Sequence, residues 1–137
     1  MGYQYLLDTN IISDLIRNPE GKVFQAISKV GENKICTSII VASEIRFGAA
    51  KSDSPRLIAR VESFLRVLPI LDLSSPVDQY YAVIRSHLEK SGTPIGPNDL
   101  LIAAHALGMN LTLVTANTRE FKRVPDLIVV NWLGEVE

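Results

Sequence analysis

The stretch YLLDTNIISDL, residues 5–15, passes from an apolar run through a polar turn into a helical pattern. Its apolar beginning predicts a buried strand over residues 3–8, and the helical spacing of the isoleucines that follow predicts a helix. Asp8 stands where the apolar run stops, and Thr9 and Asn10 behind it are candidate caps for that helix. The stretch therefore predicts a strand–turn–helix unit with a carboxylate at the carboxyl end of its strand.

The same alternation of strand and helix continues to the end of the chain. Further strands are predicted at residues 34–38, 69–74, 111–116 and 127–132. Helices are predicted at residues 22–30, 39–50, 53–68, 76–90 and 99–109, and a polar connection at residues 117–125. Apolar strands separated by helices indicate a parallel sheet covered on both faces, because each crossover needs a helix to return the chain. We expect an α/β fold with about five strands.

Length and composition indicate one compact unit without an overall positive field. The chain has 137 residues, of which 47% are hydrophobic, so we expect a single domain over residues 1–137. Fourteen Lys and Arg against fifteen Asp and Glu leave a formal charge of -1. A polyanionic partner would therefore need a local basic patch or a bound cation.

The sequence also limits the compartment and the redox chemistry. The single cysteine, Cys36, lies in the apolar run KICTSII, where a small buried hydrophobe is the usual occupant. No targeting segment is recognisable and no apolar run approaches the roughly 18 residues of a membrane span. We expect a cytoplasmic protein with no membrane partner.

Carboxylates interrupt apolar surfaces at several separated points. Asp8 follows the first strand, and the sequence NTRE follows the fourth, at residues 117–120. Glu44 lies inside VASEIRFG, and Asp99 starts the apolar run DLLIAAHAL. A buried carboxylate is costly unless it has a partner, so each of these acids needs an explanation. The structural alternatives are a turn for Asp8, an ion pair or a solvent-facing position on an exposed flank for Glu44, and a helix cap for Asp99.

As a set, these acids indicate a site for a hard cation. Acids from distant segments that meet at one edge of a parallel sheet repel each other unless a cation neutralises them, and oxygen ligands suit Mg²⁺ or Mn²⁺. His87 and His105 lack the spacing of a zinc site, and His105 is expected to be a hydrogen-bonded packing residue. The sequence contains neither a glycine-rich phosphate loop nor a G-x-S-x-G nucleophile elbow, which disfavours nucleotide-cradle and acyl-transfer chemistry.

Four segments resemble a known family. LLDTN, ASEIRFGA, GTPIGPNDLLIAAHAL and LVTANTREF, in this order and spacing, resemble the PIN-domain ribonucleases and most closely the VapC toxins of bacterial toxin-antitoxin pairs. The resemblance extends from residue 6 to residue 132. It implies a PIN-like three-layer α/β/α sandwich around a central, mostly parallel sheet.

The resemblance also implies a set of site residues. Its acidic site falls on Asp8, Glu44 and Asp99, with Asp8 and Asp99 as ligands of Mg²⁺, for which Mn²⁺ is a possible substitute. Many members have an Asp where this chain has Asn117, while others place an acid where it has Glu120, which we favour as the fourth acid. The supporting residues are Asn10, Thr115 and Asn117. Helix capping explains Asn10 as well as a site role does, and turn formation at the strand end explains Thr115 equally well.

The implied activity is that of a metal-dependent endoribonuclease toxin. Such a toxin cleaves a structured RNA, for example a tRNA or rRNA loop, and inhibits translation. The candidate basic rim for RNA consists of Lys90, Arg119, Lys122 and Arg123, although an ordinary solvated face explains each of them as well. Arg46 and Arg85 are further candidates, either for RNA contact or for pairing with site acids.

The family further implies a homodimer and a VapB-type antitoxin, with operator DNA bound only through the antitoxin complex. The segment RLIARVESFLRVL, residues 56–68, offers an apolar face for the dimer, for the antitoxin or for the core. Two other functions stay open. A degenerate PIN domain would act only as a binding module, which Asn117 favours and the retained acids disfavour. A phosphoacceptor signalling module would need paired early acids and a late lysine that this sequence lacks.

Overall fold

Five short parallel strands form one central sheet in the computed structural model, which describes residues 2–134. The strands are β1 (Tyr5–Leu7), β2 (Ile35–Ser38), β3 (Ile70–Leu71), β4 (Thr112–Val114) and β5 (Val129–Val130). Their order across the sheet is β3-β2-β1-β4-β5, and each neighbouring pair is parallel. The predicted α/β class is confirmed, and the sheet is parallel throughout the part of the chain described.

Helices form every connection between consecutive strands. They are α1 (Thr9–Arg17), α2 (Lys22–Val30), α3 (Ile39–Ser52), α4 (Pro55–Val67), α5 (Val77–Lys90), α6 (Pro97–Gly108) and α7 (Thr118–Phe121), with a 3₁₀ turn at Glu32–Lys34. Ser54 caps α4 through a hydrogen bond from the Leu57 N–H, and Pro55 occupies its first turn as the sequence predicts. None of the helices within residues 2–134 has both the length and the apolar character needed to cross a bilayer.

The direction of winding changes between β1 and β4. From β1 the chain adds β2 and then β3 on one side, and it then crosses to the other side of β1 for β4 and β5. Open parallel sheets bind ligands in the crevice outside the carboxyl ends of the strands at such a switch point. Asp8 directly follows β1 and Thr115 directly follows β4, so both lie at this crevice.

The core explains the apolar strands and the buried helix α6. Leu6, Leu113 and Ile102 have no exposed surface, and Cys36 is equally buried, which raises the pKa of its thiol to about 12. The predicted packing role of this cysteine is therefore confirmed. Helix α6 lies close against α5, because a Cβ on Gly108 would come within 3.2 Å of the Val77 side chain.

Two local predictions were wrong. Thr9 and Asn10 do not cap α1, since they are its first two residues and Asp8 is the N-cap. The predicted polar connection at residues 117–125 contains the short helix α7, whose four residues are too few to show a helical period. Its buried Phe121 anchors it to the core.

Candidate active site

Asp8 joins the ends of the two central strands. Its backbone N–H donates to the Val114 carbonyl over 2.9 Å, and its Oδ2 accepts a hydrogen bond of 2.8 Å from the Thr115 hydroxyl. Its Oδ1 accepts a second hydrogen bond of 2.8 Å, from the Thr9 N–H, which makes Asp8 the cap of α1. The Asp8 carboxylate therefore caps α1 and also lies at the crevice between β1 and β4.

The environment of Asp8 opposes its negative charge. Burial raises its pKa most strongly, and the hydrogen bonds from Thr115 and Thr9 lower it in part. The negative charges of Glu44 and Glu120 raise it further. The net effect is a pKa above the usual value for an aspartate, caused mainly by burial and in a smaller part by these two neighbouring acids.

Asn10 and Thr115 connect α1 to the loop after β4. The Asn10 Oδ1 accepts from the Ala116 N–H over 2.9 Å, and its Nδ2 lies 3.3 Å from the Thr115 Oγ1. The Thr115 hydroxyl also accepts a hydrogen bond of 3.0 Å from the Asn117 N–H while it donates to Asp8. Asn10 therefore does not cap the helix, whereas Thr115 both forms the strand-end turn and contacts the acid.

Glu44 is held by neutral donors on both of its oxygens. It lies within α3, and its Oε1 accepts a short hydrogen bond from the Thr9 hydroxyl. Its Oε2 accepts from the Asn98 side-chain amide over 3.1 Å. The exposed ion pair offered as an alternative for Glu44 is absent among residues 2–134. Sequence analysis missed Thr9 and Asn98 as site residues, although each is the chain neighbour of a predicted ligand.

Asp99 and Glu120 form the other half of the cluster. Asp99 lies in the first turn of α6, where Gly96 is the N-cap and no side chain caps the helix, so the capping explanation for Asp99 is wrong. Glu120 accepts from the Gly96 N–H over 3.1 Å and from the Asn117 amide over 2.6 Å. A Cβ on Gly96 would lie 3.7 Å from the Asp99 Oδ2, so this acid also borders the turn before α6.

Asp99 and Glu120 shift each other's pKa in opposite directions. Burial, a hydrogen bond to Glu120 and the charges of Glu120, Asp8 and Glu44 raise the pKa of Asp99 to about 7. Burial alone would raise the pKa of Glu120, but hydrogen bonds from Gly96, Asn117 and Asp99, together with the charge of Arg123, lower it below the usual value. Their interaction therefore favours the protonated form of Asp99 and the charged form of Glu120.

The donor set fits a hard cation in its chemistry. It consists of carboxylate oxygens with neighbouring amide and hydroxyl oxygens. Burial is the main cause of the raised pKa values of Asp8 and Asp99, and the charges of neighbouring acids add a contribution that a cation would offset. As the side chains are placed, no three His, Cys, Asp or Glu residues within 2–134 form a group ready to hold a metal ion. The roles of these residues as catalytic groups or metal ligands stay predictions.

The basic residues divide into those beside the acids and those elsewhere. Arg123 donates to the Pro94 carbonyl over 3.0 Å, and its charge acts on Glu120. Arg119 and Lys122 are exposed on and just after α7, and Lys90 is exposed at the end of α5. Their contact with RNA stays a prediction.

Arg46 and Arg85 do not pair with the site acids. Arg46 forms a 2.8 Å ion pair with Glu62, and Arg85 a 2.9 Å ion pair with Glu89, all four side chains being exposed. Pairing with site acids, one of the two roles suggested for these arginines, is therefore wrong, and contact with RNA stays a prediction. His105 has the expected hydrogen-bonded packing role, because its ring is fully buried and its Nδ1 lies 2.8 Å from the Ser38 hydroxyl.

Comparison with known proteins identifies the family. The PIN domain model matches residues 5–127. The chain is 41% identical to Ribonuclease VapC2 of Rickettsia felis over 93% of its length and 97% of that protein. It is 36% identical to the tRNA(fMet)-specific endonuclease VapC of Shigella flexneri, over 94% and 98% of the two chains. A crystal structure of VapBC2 from Rickettsia felis, bound to a promoter DNA fragment, superposes with a TM-score of 0.87 at 40% identity, covering 93% of this chain and 98% of that one. The chain therefore belongs to the PIN-domain family and, within it, to the VapC ribonucleases.

Proposed function

We propose that this protein is a metal-dependent endoribonuclease toxin whose active site is the cluster of Asp8, Glu44, Asp99 and Glu120. The observation that carries the proposal is that these four acids, from distant segments, lie near enough at the switch point of the sheet for their charges to act on Asp8 and Asp99. Burial, the hydrogen bond to Glu120 and the charges of the other three acids together raise the pKa of Asp99 to about 7. A cluster of this kind that served stability alone would be unfavourable, because like charges at close range oppose folding.

Each side chain has a defined part in the proposed chemistry. Asp8 and Asp99 would hold Mg²⁺, or Mn²⁺ in its place, which would supply charge stabilisation at the scissile phosphate and lower the pKa of a bound water. Thr115 fixes the orientation of Asp8 through its 2.8 Å hydrogen bond. Glu120, held at both oxygens, and Glu44 complete the negative pocket in which the attacking water would be oriented.

The proposed substrate is a structured RNA, and the proposed consequence of its cleavage is the arrest of translation. One relative is a tRNA(fMet)-specific endonuclease, which makes a tRNA the first candidate substrate. The formal charge of -1 gives no overall attraction for RNA, so binding must use local positive charge. Arg119, Lys122 and Arg123 lie in and beside α7, next to Glu120, and Lys90 is a more distant candidate. The proposed location is the cytoplasm, where tRNA and rRNA are found.

An antitoxin of the VapB type is the proposed protein partner, because solved relatives are VapBC complexes, some of them on DNA. An apolar groove of about 700 Å³ runs between α1, α2 and α4. Its lining includes Leu15, Phe24, Ile27, Phe64 and Val67. We assign this groove to an apolar segment of the antitoxin, with operator DNA bound only through that complex. Homodimer formation stays a prediction.

The alternative, a degenerate PIN domain that only binds, rests on Asn117. The structure gives this residue a contact that fits an active centre, since its amide donates to Glu120. The neutral Asn117 therefore supports an acid instead of replacing one. We favour the nuclease.

Expression in bacteria tests the proposal. The wild-type chain, produced without an antitoxin, is expected to stop growth and to generate new RNA ends at discrete positions in sequenced total RNA. Asp8→Asn should abolish both effects, because it removes a charge from the site and leaves an N-cap of equal quality. Asp14→Asn, a change of the same kind in the same helix, is the matched control and should remain toxic. Toxicity and new ends that persist in Asp8→Asn would contradict the assignment.

A further inference from the structure

Glu44 is bound by the chain neighbours of the two predicted metal ligands. Thr9, which donates to Oε1, follows Asp8 directly, and Asn98, which donates to Oε2, directly precedes Asp99. One oxygen of Glu44 is therefore linked to the chain neighbour of Asp8, and the other to the chain neighbour of Asp99. A displacement of α1 or of α6 would change the hydrogen bond on the corresponding side.

The donors belong to the starts of two helices, and the acceptor lies in a third. Thr9 is the first residue of α1, Asn98 lies in the first turn of α6, and Glu44 lies near the middle of α3. The side chain of a glutamate has three rotatable bonds and an exposed one samples many rotamers. Two directional hydrogen bonds from different helices restrict it to one orientation.

A buried hydrogen bond joins α3 and α6 at a second point, away from the contact between Glu44 and Asn98. Ser38, the N-cap of α3, lies 2.8 Å from the Nδ1 of His105 on α6, and both side chains are fully buried. Ser38 precedes Glu44 by six residues and His105 follows Asn98 by seven. At a rise of about 1.5 Å per residue, the two contacts are roughly 9 to 10 Å apart along each helix. They hold α3 and α6 in register.

The local charges explain why Glu44 needs such restraint. Asp8 and Asp99 both experience its negative charge, which contributes to their raised pKa values. Repulsion from these acids favours rotation of an unrestrained Glu44 toward solvent. The neutral donors keep the carboxylate facing the cluster and add no charge to it.

We propose that Thr9 and Asn98 are positioning residues, which orient the Glu44 carboxylate toward the acidic cluster. The proposal rests on the proposed nuclease function and adds two residues to it. Neither residue is assigned a direct part in the reaction. Their effect on cleavage is therefore expected to pass entirely through Glu44.

A double-mutant cycle tests this dependence. Thr9→Val and Asn98→Leu replace each donor with an apolar group of similar size, and Thr9→Ser restores the hydroxyl. Partners that orient a site group typically change activity by about 10 to 100-fold, so we expect each variant to lower kcat by that order with little change in KM. Thr9→Ser should recover most of the lost rate. In a Glu44→Gln background, Thr9→Val and Asn98→Leu should cause almost no further loss.

Two controls separate positioning from other roles. Thr118→Val removes a half-buried hydroxyl at the start of α7 and should leave kcat unchanged. Thermal unfolding of Thr9→Val, Asn98→Leu and Thr118→Val should stay close to that of the wild type. Crystal structures of Thr9→Val and Asn98→Leu should show Glu44 turned away from the acidic cluster. This last readout does not require activity, so it tests positioning even if the wild type cleaves no RNA, a result that would count against the proposed nuclease alone.

Three results would overturn the proposal. One is a kcat equal to that of the wild type in both Thr9→Val and Asn98→Leu. The second is an equally large loss when the same changes are made in Glu44→Gln, which would mean a direct role for the donors. The third is a raised KM at unchanged kcat, which would make them substrate contacts.

Discussion

The Asn117 amide donates a 2.6 Å hydrogen bond to Glu120, and Glu120 accepts a second one from the Gly96 N–H at the start of α6. The two residues that competed in the sequence for the fourth site position are therefore partners. Glu120 supplies the charge, and Asn117 helps to hold it. This arrangement also links α7 to the helix that carries Asp99.

Glu120→Gln is expected to reduce RNA cleavage more than Asn117→Ala does. The first change removes a negative charge from the site, whereas the second removes one of two hydrogen bonds that orient it. Rates under single-turnover conditions with saturating Mg²⁺ measure the difference. A larger loss of cleavage rate in Asn117→Ala would mean that Asn117, and not Glu120, is the fourth site residue.

The stability of the metal-free protein should depend on the protonation of Asp99. Its pKa is raised to about 7 in the folded state, whereas an unfolded aspartate titrates near about 4. The stability that the neutral carboxyl contributes is therefore fully present below about pH 4 and is lost as the pH rises through about 7. Asp99→Asn cannot ionise, so it should be more stable than the wild type above neutral pH.

Thermal unfolding in EDTA from about pH 5 to about pH 8 measures this effect. The wild-type unfolding temperature should fall more steeply with pH than that of Asp99→Asn. Asp78→Asn, which alters an acid in the first turn of α5, is a control and should follow the wild type. Parallel curves for the wild type and Asp99→Asn would show that Asp99 does not hold a proton in the folded state.

Thr115→Val should weaken both the site and the fold. It leaves the shape nearly unchanged but removes the buried hydroxyl that donates to Asp8 and accepts from the Asn117 N–H. Unpaired buried partners cost about 1 to 3 kcal/mol, and this loss should appear as a lower midpoint in urea. Cleavage should fall as well, because Asp8 loses a hydrogen bond that favours its charged form.

Two further variants identify the hydroxyl as the cause. Thr115→Ser should restore most of the activity and stability, and Thr112→Val, at a half-buried position of the preceding strand β4, should change neither. Thr115→Val with full activity would mean that the orientation of Asp8 does not depend on this contact.

Val67→Glu should weaken antitoxin binding without affecting cleavage by the free protein. Val67 is 78% exposed at the rim of the apolar groove, so a charge there is tolerated by the fold but opposes an apolar partner. Ile128→Glu, at a residue 65% exposed outside the residues that line the groove, is the matched control. Calorimetric titration with the cognate antitoxin compares the two variants. Equal affinities of Val67→Glu and Ile128→Glu for the antitoxin would contradict the assignment of this groove to the antitoxin.

The positions of the acids could be predicted because topology determines them. A strand-end residue in a parallel sheet reaches the same edge as its counterparts, so Asp8 and Glu120 were expected near each other before their contacts were known. Asp99 was found from the cost of placing a carboxylate at the start of an apolar helix. In each of these cases a single physical rule, applied to one residue, is enough to predict where that residue lies.

The hydrogen-bond partners could not be predicted, because they depend on how distant helices face each other. Glu44 and Asn98 are separated by 54 residues, and no local pattern relates the two side chains. The same reason explains the error for Arg46, whose partner Glu62 lies on the neighbouring helix α4. For Asp8, a simple turn and a site role were the alternatives, and capping was assigned to Thr9 and Asn10. The structure shows instead that Asp8 itself caps α1 and also contacts Thr115 at the crevice.

Metal-dependent cleavage by the purified protein tests the central claim most directly. Total RNA is incubated with antitoxin-free wild type or Asp99→Asn in the presence of Mg²⁺, Mn²⁺ or EDTA, and the new ends are mapped. The account predicts discrete cuts by the wild type with Mg²⁺ or Mn²⁺, none in EDTA and none with a folded Asp99→Asn. Cleavage that persists in EDTA, or equal cleavage by Asp99→Asn, would contradict a metal-dependent site built on these acids.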